Sequence, residues 1–169
     1  MATRTYAYLG LGSNFGDRLK NLKTAIDKID AVLGKVVEIS RIYESEAVGF
    51  KSDNLFLNAA VKIVPNHSPG MTLEYIKQIE TNMGRMQRKP GEMYSDRNID
   101  IDILMFGSKI YKTKHLNIPH EKLADRMFVL KPLVDIAPNA IVPGFGITTI
   151  ELLGLRHDFD SVKLYSTKL

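Results

Sequence analysis

The ten residues 98–107, NIDIDILMFG, limit the fold more than any other stretch. Their β-branched residues, in strict alternation, specify a strand with two unlike faces. Ile99, Ile101 and Ile103 share one face, Asp100 and Asp102 the other. The strand is apolar enough to be expected at the centre of a sheet. It must then have a buried side and a side that uses its carboxylates.

The rest of the chain supplies the partners. A first strand is expected over residues 5–11, ending in the turn Gly10-Leu11-Gly12-Ser13-Asn14-Phe15-Gly16. Leu19, Leu22, Ile26, Ile29 and Leu33 follow at helical spacing, with Gly34 placed to stop the helix. Residues 36–43 read as a second strand. A polar stretch, 44–54, leads to a third strand over 55–64. Pro69-Gly70 opens a second helix with Leu73, Ile76, Ile79 and Met83 on one face and Gly84 at its end. A loop over 85–97 runs into the Asp100 strand. Residues 109–111 are expected as a short return strand. Beyond His115, residues 121–127 and 149–153 are the expected helical turns. The order β-α-β-β-α-β is that of an α+β, ferredoxin-like sandwich: an antiparallel sheet with two helices on one face and the other face open, plus a C-terminal extension. Parity places Leu55, Leu57, Ala59, Val61 and Ile63 under the helices, and Phe56, Asn58 and Lys62 on the other face, where Phe56 and Asn58 share the open side with Asp100 and Asp102.

The chain has 169 residues, 44% hydrophobic and 25% charged, which suits one globular unit over 1–169. Cysteine is absent, which removes disulfide and thiolate chemistry. The start, MATRTYAYLGLG, has no apolar run of signal-peptide length, and no later segment is long enough to span a membrane. The expectation is a cytoplasmic protein, monomeric, with no membrane partner. The net charge of +4 and a pI of 9.2 suit a phosphate-bearing ligand as well as a nucleic acid.

Two aspartates at i and i+2 on a strand put hard oxygen donors side by side, as Mg²⁺ requires together with substrate phosphates. By itself D-x-D is equally a solvated strand face. Adjacent carboxylates on an apolar strand, however, repel unless a cation is near. The 85–97 loop brings arginines and lysine, and Arg97 lies three residues before Asp100. Gly84, Pro90 and Gly91 suit a lid that carries its arginines to bound phosphate. Gly10-x-Gly12-x-x-x-Gly16 is not a dinucleotide fingerprint, since Phe15 stands where the third glycine belongs. It reads as a strand-to-helix turn whose backbone lines a ligand site. None of the four histidines is spaced for zinc.

With these residues assembled, the chain resembles the 6-hydroxymethyl-7,8-dihydropterin pyrophosphokinase family of folate biosynthesis. The resemblance runs through YLGLGSNFGD, FLNAAV, IETNMGR, RNIDIDILMFG, IPH and RMFVLKPL, in that order. It implies transfer of pyrophosphate from ATP to the pterin hydroxymethyl group, with release of AMP and the help of two Mg²⁺ ions. By resemblance, Asp100 and Asp102 hold the metal, and Arg85 and Arg97 act on the phosphates. Ser45, Val48, Phe56, Asn58, Tyr94 and Phe128 match the pterin side. Glu80, Arg88, Ile103, His120 and Arg126 match the ATP side, Ile103 through its backbone. Tyr94 replaces a family tryptophan. Gln87 replaces a basic residue that Arg88 would have to supply. Lys77 and Glu121 are further departures.

Two other classes compete. An RNA-binding sheet would carry exposed aromatics and an RNP-type run, and the chain has no such run. No nucleic-acid partner is expected. A metal-dependent phosphohydrolase would use the same aspartates without a pterin.

Overall fold

The computed structural model describes residues 4–85 and 95–169. Its main sheet is built from β1 (Ala7–Ser13), β2 (Gly34–Ile39), β3 (Ile42–Ser45), β4 (Phe56–Pro65), β5 (Asp100–Phe106) and β8 (Val162–Ser166). The order is β5-β1-β4-β3-β8, with β2 also paired to β4, and every pairing is antiparallel. This is the expected ferredoxin-like core with an added C-terminal strand.

Helices α1 (Arg18–Val32) and α2 (Pro69–Asn82) lie on one face. Asp17 caps α1 by accepting the Lys20 N–H, and Ser68 caps α2 just before Pro69. Their buried Leu22, Ile26, Ile29, Ile76 and Ile79 meet Leu9, Leu11, Leu57, Val61, Ile63, Ile99, Ile101 and Ile103 in one core. Strand parity therefore resolves as expected from Leu57 to Ile63, but Leu55 lies before β4 and is exposed instead of sitting under the helices.

The other face is not simply open. Helix α3 (Met127–Ile136) packs Val129, Leu130 and Leu133 over Ala60, Leu104 and Met105, with α4 (Thr149–Gly154) behind it. Part of the face is thus a second core, and the cleft lies beside it. The helical turn expected over 121–127 is instead a run of turns over 121–125, and α3 begins at Met127. Pro132 masks α3 in sequence: a proline inside a helix costs about 3 kcal/mol, and here an almost wholly apolar helix outweighs it. Tyr43 and Arg41 on the β3 side both bond Asp135 of α3, at 3.0 and 2.5 Å, and pin the helix to the sheet.

Three other expectations shift. The 36–43 strand divides into β2 and β3 because Ser40 replaces one rung of the ladder: its Oγ accepts the Ala60 N–H at 2.8 Å. The short return strand, β6 (Tyr111–Lys112), pairs with β7 (Asn117–Ile118) rather than with the main sheet. β5 lies at the sheet edge, not the centre. Its outer edge is covered by other means: the Glu80 carboxylate accepts the Ile101 N–H at 2.8 Å, and the His120 N–H donates to the Leu104 carbonyl at 2.9 Å. An edge strand sealed this way is as apolar as a central one.

Gly34 joins α1 to β2 with φ of +147°, and a Cβ there would lie 2.1 Å from the Val64 carbonyl oxygen. Gly70, in the first turn of α2, faces open space. Gly34→Ala should therefore lower the unfolding free energy by roughly 3 kcal/mol or more. Gly70→Ala should raise it by about 0.5 kcal/mol. Urea denaturation of the two variants checks both signs.

Candidate active site

β5 delivers Asp100 and Asp102 to the face away from α1 and α2, into a cleft of about 180 Å³. Arg85, just past the end of α2, bonds both the Glu80 carboxylate and Asp100 Oδ1, the latter at 2.6 Å. Arg97 reaches Asp100 Oδ2 at 3.2 Å. Both oxygens of Asp100 are thus held by guanidinium groups from the two ends of the 85–97 segment. Those ends are tied together by Asn98, whose amide donates to the Met83 carbonyl at 3.0 Å. His120 Nε2 lies 3.7 Å from Asp102 Oδ2.

The far wall is aromatic and amide in character. Phe56 and Asn58 are both buried, and Asn58 Nδ2 donates to Ser45 Oγ at 2.9 Å. Phe128 faces them from the start of α3, with the Arg126 guanidinium 5.6 Å from its ring. Val48, exposed on the rim, completes that side. Gly12 keeps the floor open: a Cβ there would sit 3.4 Å from the Phe56 ring and 3.5 Å from Asn58 Oδ1.

The expected site residues Arg85, Arg97, Asp100, Asp102, Ser45, Val48, Phe56, Asn58, His120, Arg126 and Phe128 therefore converge on one cleft. Two do not line it. Glu80 stands behind Arg85, and the Ile103 side chain lies in the core under α1 and α2. Ile103 can meet a ligand only through its backbone, on the outer edge that Ile101 two residues earlier also presents. Arg88 and Tyr94 fall outside the described residues, as does most of the expected lid. Phe50, Gly10 and Glu121 also line the cleft. Gly10 and Gly12 were signalled by the 10–16 motif, but they lie within β1, which runs on to Ser13, and not in the expected turn, which is confined to the residues after it. Phe50 was hidden in a polar stretch with no motif around it.

The electrostatics follow from burial and crowding. Burial pushes the Asp102 carboxyl above the ordinary range, and the charge of Asp100 adds to this. Its side chain nevertheless keeps 37% of its surface open to the cleft. Arg85 is pushed up: burial opposes its charge, but Asp100 and Glu80 outweigh burial. Among the described residues no group of three or more metal-ligating acids, histidines or cysteines is assembled. Asp100 and Asp102 alone make no closed cage. They fit a hard divalent ion that brings the rest of its oxygens from a bound phosphate.

Burial pushes the Glu80 carboxyl up to about 7 from an ordinary 4.5, against the pull of Arg85. The folded chain thus holds this proton more tightly than the unfolded chain does. The stabilisation is complete below the ordinary value and lost as pH rises through the folded one. Between pH 5 and 8 the ligand-free protein should lose on the order of 1–3 kcal/mol relative to Glu80→Gln, whose stability should be flat in that window. Urea titrations across that range measure the difference.

The site now has a context among known proteins. Residues 8–138 match the family model of 7,8-dihydro-6-hydroxymethylpterin-pyrophosphokinase. The 2-amino-4-hydroxy-6-hydroxymethyldihydropteridine pyrophosphokinase of Aquifex aeolicus is 41% identical over 136 residues, covering 80% of this chain and 82% of that protein. The Porphyromonas gingivalis protein of the same name is 40% identical, over 78% and 90% of the two chains. The folic acid synthesis protein FOL1 of Dictyostelium discoideum is 38% identical over 88% of this chain, which spans only 22% of its length. In structure, the chain is similar to Plasmodium falciparum HPPK-DHPS with pteroate: TM-score 0.72, 18% identity, 90% of this chain and 44% of that one. The solved relative shares the fold and is more than twice as long. On the match over 8–138 and these relatives, the chain belongs to the 7,8-dihydro-6-hydroxymethylpterin-pyrophosphokinase family.

Proposed function

We infer that the chain transfers the pyrophosphoryl group of ATP to the hydroxymethyl oxygen of 6-hydroxymethyl-7,8-dihydropterin, a step of folate biosynthesis. The pterin hydroxyl gives up its proton to solvent as its oxygen bonds to the β-phosphorus, the bond from that phosphorus to the α,β-bridging oxygen breaks, and AMP leaves. One observation carries this reading: a buried aromatic and amide wall faces two carboxylates and two arginines across a single cleft. A flat heterocycle and a polyphosphate are the ligands such a pair of walls fits.

The chain's own groups supply position and charge, which is most of what this class of transfer needs. Phe56 and Phe128 stack on the pterin, Asn58 and Ser45 bond its edge, and Val48 covers it. Arg85 and Arg97 exchange Asp100 for the phosphates, with Glu80 keeping Arg85 in place. His120, Arg126 and the Ile103 backbone take the nucleotide side, and Tyr94 and Arg88 are assigned to the lid. Asp100 and Asp102 would hold two Mg²⁺ ions, which when bound offset the negative charge of the triphosphate. With Asp100 freed from the arginines, the two carboxylates are the hard donors such ions take. We propose that the protein acts as a single unit over residues 1–169, as a monomer in the cytoplasm. Among the described residues no helix is long and apolar enough to cross a membrane.

AMP release from Mg·ATP should depend on the pterin and vanish in the Asp100→Ala/Asp102→Ala double variant. Arg85→Ala and Arg97→Ala should each lower kcat by about 10²–10³, with a smaller change in the KM for ATP. Phosphate release indifferent to pterin would favour the hydrolase instead.

A further inference from the structure

Asp96 is required by no step above, yet its carboxylate gathers three side chains from elsewhere in the chain. Oδ1 accepts from Asn14 Nδ2 at 2.7 Å and from Ser52 Oγ at 2.5 Å, and Oδ2 accepts from Asn54 Nδ2 at 2.5 Å. Asn14 belongs to the turn after β1. Ser52 and Asn54 belong to the segment between β3 and β4. These hydrogen bonds hold the Asp96 carboxyl below the ordinary carboxylate range, Ser52 most of all.

Each tie leads to a wall of the cleft. Asn14, itself buried, also grips Arg97: its Oδ1 accepts the Arg97 N–H at 2.8 Å, and its own N–H donates to the Arg97 carbonyl at 3.2 Å. The amide orientation follows, oxygen to Arg97 and nitrogen to Asp96. Two residues before Ser52 stands Phe50, edge-on to Phe56 at 6.2 Å between ring centres. The Arg97 guanidinium carbon lies 5.8 Å from the Phe50 ring and 5.4 Å from that of Phe56. The segment that carries the aromatic wall and the backbone that carries the phosphate arginine therefore meet at one carboxylate.

We propose that Asp96 is a positioning residue of the transfer reaction: through Ser52 and Asn54 it draws the Phe50 wall over the pterin pocket, and through Asn14 it fixes Arg97 for the phosphates. The proposal rests on the reading of the cleft given above. A carboxylate accepts from all three side chains at once. An amide at this position presents an N–H₂ group to Asn54, keeps all three ties only if the Asn54 amide inverts, and removes the charge that strengthens them. The near-isosteric Asp96→Asn should then weaken the tie rather than act as a conservative change.

Steady-state kinetics on the full chain test this, with thermal unfolding and direct binding of a non-hydrolysable Mg·ATP analogue as controls. Asp96→Asn should raise the pterin KM and lower kcat, each by roughly tenfold or more, because a small misplacement is felt in both. Its analogue affinity without pterin should stay within about threefold, and its Tm within about 3 °C. Ser52→Ala/Asn54→Ala should raise the pterin KM alone and leave kcat at saturation within about twofold, because Arg97 keeps its bonds to Asn14. An active wild type with Asp96→Asn unchanged in both constants would overturn the proposal while leaving the site reading intact. So would a loss of activity matched by equal losses in Tm and analogue binding, which would mark Asp96 as merely structural. A wild type that releases no AMP on addition of pterin would overturn the site reading and this proposal together.

Discussion

Two carboxylates two residues apart on one strand face repel each other, and the site is organised around their neutralisation. Asp100 takes a guanidinium on each oxygen, Asp102 has an imidazole within reach, and Glu80 holds Arg85 from behind. These pairs are not exposed ornaments of the kind that contribute little to stability. Arg97 and Glu80 keep only 14% and 10% of their side-chain surface in solvent. Removing one partner would leave a charge stranded in a poorly solvated cleft. A triphosphate offers the same arginines a denser negative partner, and its accompanying cations offer one to the aspartates. On this account the ligand-free site is already charge-balanced, and binding re-partners it.

The fold does two jobs with the same residues. Glu80 and His120 cap the exposed edge of β5, and both sit beside the groups that handle charge. Gly10 and Gly12 let β1 pass between β4 and β5 with no side chain to fill the cleft. Helix α3 covers part of the second sheet face and ends its cover at Phe128 and Arg126, so the margin of a hydrophobic core becomes the wall of the cleft.

What could be read from sequence is what depends on local pattern. Alternation over residues 99–103 and 56–63 separated the helix side from the cleft side correctly; it failed at Leu55, which lies exposed before β4, and after Ile103, where a register shift turns both Leu104 and Met105 to the α3 side. The spacing of Leu22, Ile26 and Ile29 found α1. Long-range pairing was not legible. That β5 would be an edge strand follows from β1 lying between it and β4, and nothing local to NIDIDILMFG says so. Helix α3 was obscured by Pro132, whose local preference is overridden by tertiary burial of Leu130, Leu133 and Ile136. β8 was missed because only Val162 in it is deeply buried. In the site, residues with motif chemistry were found, whereas Phe50 and Asp96 were not. Asp96 meets Asn14, Ser52 and Asn54, all some forty or more positions away, and Phe50 meets the equally distant Arg97.

On the proposed reading one cleft holds both substrates, and the arginines leave Asp100 as it does so. A crystal structure with Mg²⁺, a non-hydrolysable ATP analogue and the pterin bound together tests this. The pterin should lie between Phe56 and Phe128, metal on Asp100 and Asp102, and the Arg85 and Arg97 guanidinium groups on the phosphates. Phosphates bound elsewhere while both arginines still hold Asp100, or a pterin away from the aromatic wall, would contradict it.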